Sequence, residues 1–322
     1  MASVDCRWPA GTILAYEFGM RDPSILKNIT LGLILTFVAP ALFAQSDQPD
    51  EIVTYREVDD TELKMHVFLP ADFKASDRRP AVVFFFGGGW NGGSPGQFYP
   101  FSEYLTSRGM VAMAAEYRTK KSHGTDPFAC VEDAKAAMRW ARKNAAKWGI
   151  DPQRLAAGGG SAGGHLAAAT AFLPGLNEAG AKLDDSCVPD ALILYNPVMD
   201  NGPTGYGYER IGERFREFSP LHNIGPQIPP PTITFLGTHD DLIPVESMRT
   251  FANAIRREGG RCDFHLYENA PHGFFNKRDW GNLRYYEVVR ATDRFLGSLG
   301  WLEGEPTLAL PEVARTVAPP KE

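Results

Sequence analysis

A serine hydroxyl becomes a useful nucleophile only when a base takes its proton and a third group holds that base in place. Gly159-Gly160-Ser161-Ala162-Gly163 offers such a serine. The apolar run Arg154 to Gly158 before it reads as a strand, and the alanine-rich run Gly164 to Ala169 after it reads as a helix. A serine between glycines at a strand-to-helix corner is a nucleophile elbow: the turn pushes the hydroxyl into the open and aims the next N–H at the same space. Gly92-Gly93-Ser94-Pro95-Gly96 carries the same pattern. Pro95 has no N–H to offer an oxyanion and no helical run follows, so Ser94 reads as a loop residue.

On such a corner the partners follow in the order acid, then histidine. Of the seven histidines, His66 and His123 precede the serine, and His165 sits one turn along the serine's own helix. His222 precedes any suitable acid, His239 abuts the acid itself, and His265 lies inside the strand pattern Asp263 to Tyr267. His272 remains, in the turn-rich loop Asn269-Ala270-Pro271-His272-Gly273-Phe274 straight after that strand. The acid comes from the loop that follows the apolar strand Thr232 to Gly237, where Asp240 and Asp241 are adjacent. Asp240 is the choice because it leaves the strand end first, and Asp241 is read as a cap for the helix near Val245.

An acyl-transfer site also needs N–H donors where the oxyanion forms. Ala81 to Phe86 is a continuous apolar run, typical of a strand buried on both faces, and it ends in Gly87-Gly88-Gly89-Trp90. The glycines let bare N–H groups approach a substrate oxygen, so Gly88 and Gly89, with Ala162 after the nucleophile, are the predicted donors.

The elements that must hold these residues alternate along the chain. Strands are predicted at 51–56 and 62–69 around a turn at Asp59-Asp60, then at 81–86, 110–117, 154–160, 191–197, 232–238 and 262–268. Helices are predicted at 97–107, 131–148, 246–258 and 284–297, besides the one after the elbow. The helix over 131–148 places Val131, Ala134, Met138, Ala141, Ala145 and Trp148 on one face. Such alternation predicts a mostly parallel eight-stranded sheet with helices on both faces, an antiparallel hairpin at its start and active residues at strand C-terminal ends. Residues 201–231 break the rhythm and read as a short lid-like insertion or a surface excursion, with a charged helix over 209–218. Trp90, Tyr206, Tyr208 and Phe215 are candidate pocket residues, since sugars and phenolic rings both stack on aromatics.

Together the Gly87–Trp90 loop, the Ser161 elbow, the Asp240 loop and the His272 loop resemble the α/β-hydrolase superfamily. The chain is most similar to hormone-sensitive-lipase-like esterases and to bacterial carbohydrate acetyl and feruloyl esterases (BD-FAE-like), over about residues 51–300. One position departs: Phe86 stands where the resemblance expects a histidine whose ring nitrogens buttress the oxyanion loop, so packing alone is expected to hold that loop. The resemblance implies a serine ester hydrolase acting on short acyl esters, acetyl or feruloyl groups of plant polysaccharide. An amide hydrolase, arylformamidase or peptidase, would use the same machinery, and a non-catalytic binding module is a remote alternative.

The 322 residues suffice for one large domain, expected over 45–303, and the net charge of −6 with scattered basic residues points to no nucleic acid and no anionic membrane surface. No phosphate-binding glycine loop or metal-ligand spacing is found, so no cofactor and no metal are expected. Leu31 to Ala39 is too short to span a bilayer, follows Arg21 and Lys27, and leads into small residues ending at Ala44. It reads as a signal peptide over about 20–44 after an upstream extension, which predicts a secreted or periplasmic protein with no membrane attachment after cleavage. Cys130 should reach neither Cys187 nor Cys262; whether those two pair is left open, as is the oligomeric state. The proline-rich residues 304–322 are expected to be a disordered tail.

Overall fold

The structure, a computed structural model, describes residues 48–182, 184–277 and 282–311. The expected extension and signal peptide lie outside the described residues. Eight strands form one sheet: β1 (Glu51–Val58), β2 (Thr61–Phe68), β3 (Arg79–Phe85), β4 (Val111–Ala115), β5 (Ile150–Gly160), β6 (Ala191–Tyr195), β7 (Thr232–His239) and β8 (Cys262–Pro271). Their order is β1-β2-β4-β3-β5-β6-β7-β8. β1 and β2 make the antiparallel hairpin, β2 pairs antiparallel with β4, and every later pair is parallel.

The apolar strands sort their residues by parity. Ala81, Val83 and Phe85 of β3 join one core while Val82 and Phe84 join the other. This is the two-fold side-chain alternation of a strand covered on both faces. Five helices do most of the covering: α1 (Tyr99–Ser107), α3 (Pro127–Lys143), α4 (Ala162–Phe172), α7 (Val245–Arg257) and α8 (Leu283–Ser298). Residues of α3, α4 and α7 pack into the first core, and residues of α1 and α8 into the second. Full burial of a phenylalanine such as Phe84 is worth roughly 1.5–3 kcal/mol. Among the described residues no helix is long and apolar enough to cross a membrane.

Three sequence expectations shift. α3 begins four residues earlier than 131, because Asp126 caps it by accepting from the N–H groups of Phe128 and Ala129, with Pro127 in the first turn. It ends at Lys143, and Ala145 and Trp148 stay buried in the turn that follows. The charged helix expected over 209–218 is divided: α5 (Tyr208–Ile211) and α6 (Phe215–Phe218) flank a 3-10 turn at Gly212–Arg214, where Gly212 has φ +62°. A further one-turn helix, α2 (Lys120–His123), precedes α3. The tail is not disordered from 304: Leu308 packs on the second core and its carbonyl accepts from Arg290, while the Gly304 carbonyl accepts from Arg108. Apolar contact and half-buried arginine donors outweigh its proline content up to residue 311; residues 312–322 lie outside the described residues. Cys130, Cys187 and Cys262 are buried free thiols.

Candidate active site

The order of the strands brings the site together. β3 and β5 are neighbours although β4 lies between them in sequence, and Phe85 pairs with Gly159. The loop leaving β3 therefore opens beside the elbow leaving β5, at the point where the winding of the sheet reverses. Ser161 is held at φ 54° and ψ −121°, a conformation costing a β-carbon-bearing residue about 1–3 kcal/mol. The crowding behind it explains the glycines: a β-carbon on Gly163 would lie 2.0 Å from the Phe85 carbonyl oxygen. The Ser161 N–H donates to the Tyr195 carbonyl at 2.9 Å, tying the corner to β6.

At the other end, His239 of β7 pairs with Pro271 of β8, so the next residues on each strand, Asp240 and His272, emerge side by side. His272 Nδ1 lies 2.8 Å from Asp240 Oδ2 and its Nε2 lies 2.9 Å from Ser161 Oγ. The Asp240 side chain is fully buried and its Oδ1 accepts from the N–H groups of Leu242 at 3.0 Å and Ile243 at 2.9 Å. A carboxylate can only accept, so Nδ1 carries the proton and Nε2 offers its lone pair to the serine hydroxyl. Asp241 is exposed and does not cap α7, whose N-cap is Pro244 with no side-chain bond.

Facing the serine, Gly88 has φ +122° and Gly89 φ +60°, a turn that side chains rarely allow. Among the described residues, no acceptor is found for the N–H groups of Gly88, Gly89 or Ala162. All three remain available to an oxyanion, whereas the Gly87 N–H is taken by Gln97 Oε1 at 2.6 Å. Packing is not all that holds this loop. The Phe86 ring stacks on Tyr117 with centroids 4.0 Å apart, and Tyr117 Oη also donates to the Phe86 carbonyl at 2.7 Å. Arg210 donates to the Gly89 carbonyl and lies over the rings of Trp90 and Tyr206. Phe86 itself could not reveal these polar partners, which come from distant segments.

The cleft above Ser161 has a volume of about 230 Å³. Of the four expected aromatics only Tyr206 lines it, together with Gln97, Asn196, Leu242, Phe275 and Asn276, none of which was singled out from the sequence. Trp90 is buried beneath the loop against His165 and Phe218. Tyr208 Oη donates to Glu213, and the Phe215 ring packs against His222. The cause is the break at Gly212, which turns the segment so that Ile211 and Phe218 point inward instead. Asn196, at φ +34° after β6, accepts from the Gly273 N–H at 3.1 Å through Oδ1, and its Nδ2 lies 3.3 Å from His272 Nε2. A second hollow of about 280 Å³ shares Tyr206 and Leu242 with the cleft and carries Asp200, Thr204, Glu246 and Ser247 on its walls. Among the described residues no group of three or more His, Cys, Asp or Glu is placed to hold a metal ion.

The sheet, the elbow and the serine–imidazole–carboxylate contact define a serine hydrolase site on an α/β-hydrolase fold. Residues 65–192 match the BD-FAE family model and residues 206–303 that of the dienelactone hydrolase family. The solved structure of esterase 2 from Thermogutta terrifontis, in a form phosphorylated by paraoxon, is similar at 45% identity and TM-score 0.75, covering 79% of this chain and 96% of that one. The chain belongs to the α/β-hydrolase esterase family. Esterase LipC of Mycobacterium tuberculosis is 28% identical over 61% of this chain and 53% of its own. An acetylxylan esterase of Xylanibacter ruminicola is 26% identical over 77% of this chain and 49% of its own. The match thus spans about half the length of these curated relatives.

Proposed function

We propose that the protein is a serine carboxylic ester hydrolase for short acyl groups, acetyl or feruloyl esters of plant polysaccharide among them. The observation that carries this reading is the Ser161–His272–Asp240 hydrogen-bond chain beside the Gly88, Gly89 and Ala162 N–H groups, which have no acceptor among the described residues. Ser161 Oγ attacks the ester carbonyl as His272 Nε2 takes its proton, and the Gly88, Gly89 and Ala162 N–H groups receive the oxyanion. His272 returns the proton to the leaving alcohol, and a water activated by the same nitrogen frees the acyl group. Asp240 keeps the imidazole in the one tautomer that can do both.

The size of the cleft supports a short acyl group. About 230 Å³ falls below the roughly 300–1,000 Å³ of sites that enclose drug-sized ligands. Its apolar walls are few, chiefly Leu242 and Phe275, and in the adjoining hollow Asp200, Thr204, Glu246 and Ser247 interrupt the apolar Met199, Leu221 and Ile243, so a long chain would find no continuous trough in which each CH₂ contributes its roughly 0.8 kcal/mol. Solved forms of the Thermogutta esterase are described as propionate-bound and butyrate-bound. For p-nitrophenyl esters, kcat/KM should peak between acetyl and butyryl; activity still climbing at decanoyl would refute the short-acyl reading. Export rests on the leader pattern, and N-terminal sequencing of protein secreted by a bacterial host should find a start near Gln45; retention of the apolar run would refute it.

A further inference from the structure

The oxyanion loop and the histidine loop come from opposite halves of the chain, yet an acyl-transfer site needs the gap between them held to a fraction of an ångström. A single file of amides crosses that gap. The Gly87 N–H donates to Gln97 Oε1 at 2.6 Å, Gln97 Nε2 donates to Asn276 Oδ1 at 2.9 Å, and Asn276 Nδ2 donates to the Gly273 carbonyl at 2.9 Å. Gly273 directly follows His272. The file has one direction, because a backbone N–H at one end and a carbonyl at the other leave each side-chain amide one satisfying orientation. Bonds aligned head to tail in this way polarise and strengthen one another. Gln97 sits on the 3-10 turn Pro95–Phe98, which gives the second glycine–serine motif around Ser94 a task other than supplying a nucleophile.

We propose that Gln97 and Asn276 are positioning residues that set the distance between the oxyanion donors and His272, doing for this loop what Phe86 cannot. Gln97 occupies the Gly87 N–H, so the Phe86–Gly87 peptide, one residue before Gly88, is fixed in plane, while among the described residues the Gly88 and Gly89 N–H groups keep no protein acceptor. Asn276, through the Gly273 carbonyl, fixes the Gly273–Phe274 peptide, one residue past the base. A side chain whose task is to align the site costs turnover when removed, and leaves ground-state binding nearly unchanged. Two side chains in one file also act as a unit, so losing either breaks the whole connection. The proposal rests on the ester-hydrolase reading above.

The test is a double-mutant cycle of Gln97→Met and Asn276→Leu, with near-isosteric Gln97→Glu as a variant that keeps the fold. kcat and KM are measured on p-nitrophenyl acetate, and exchange of the Gly87 amide hydrogen is read by hydrogen–deuterium exchange. Each single change should lower kcat about 10- to 100-fold with KM altered less than about threefold, and the double change should cost little more than the worse single. Gln97→Glu, which keeps an acceptor for Gly87 but loses the donor to Asn276, should also fall. Asn276→Leu should speed Gly87 exchange although it does not touch Gly87. Singles within about twofold of the parent in kcat, fully additive losses, or Gly87 exchange unmoved by Asn276→Leu would each overturn the relay. A parent protein that hydrolyses no ester would sink the functional reading instead, while the exchange result would still decide the relay.

Discussion

Asp240→Asn tests the site with a change of one atom. Asp240 Oδ1 accepts from the N–H groups of Leu242 and Ile243, at 3.0 and 2.9 Å, and Oδ2 faces His272 Nδ1 at 2.8 Å. Asparagine has a single oxygen, and the two backbone donors can be met only by that oxygen. Its amide nitrogen then faces Nδ1 and donates to it, so Nδ1 must become the acceptor. The imidazole proton moves to Nε2 and points at Ser161 Oγ, 2.9 Å away, where a lone pair is needed. The loss expected for a base locked in the wrong tautomer is about 10⁴ in kcat, or about 5 kcal/mol of transition-state stabilisation. Stability should change little, because both backbone donors keep their acceptor. Steady-state kinetics on p-nitrophenyl acetate with a thermal melt of each variant measures both quantities. Asp241→Asn, on an exposed side chain, is the control and should stay within about twofold. An Asp240→Asn enzyme within tenfold of the parent, or Asp241→Asn as the impaired variant, would refute the orientation argument.

Ser161→Ala should lose at least about three orders of magnitude in kcat, since the nucleophile and base act as a unit, while Ser94→Ala keeps parental kinetics; a dead Ser94 variant would reverse that assignment. His165 supplies a pH prediction: desolvation in its buried site beside Trp90 and Phe218 pushes its pKa down from 6.5 to about 3, the bond from Nε2 to the Phe218 carbonyl opposing only in part. The unfolded chain binds a proton there below about pH 6.5 and the folded chain does not until about pH 3, so acidification through that window removes stability at up to about 1.4 kcal/mol per pH unit from this group. Denaturant melts from pH 7 to pH 4 should show His165→Phe losing one proton's worth of that slope; identical slopes would show that His165 is protonated in the fold.

Ser161, Asp240 and His272 were legible in the sequence because their chemistry is tied to local pattern: a glycine-flanked corner, a carboxylate at a strand end, a histidine in the loop after the next strand. The eight strands were legible for a similar reason, since burial on both faces leaves continuous apolar runs such as Ala81 to Phe86. The start of α3 at Pro127 was also written locally, in the Asp126-Pro127 pair, but the apolar face used to find the helix begins only at Val131. The lining of the cleft was different in kind. Gln97, Asn196, Phe275 and Asn276 are ordinary polar or aromatic residues in irregular segments, and although Phe275 and Asn276 follow His272 closely, no local pattern says which neighbours of a site residue turn toward the cleft. Trp90 beside the glycine loop and Tyr208 and Phe215 in the insertion looked like pocket aromatics. Whether a ring faces substrate or the core depended on how the chain turned at Gly212 and on what lay beneath the loop. Patterns of short period reach only the residues they span, so sequence alone picked out the sheet and the serine, carboxylate and histidine that the fold brings into hydrogen-bond contact. Contacts between segments nearly 180 residues apart, such as Gln97 with Asn276, exist only once strand pairing has closed the distance, and tertiary structure alone decided them.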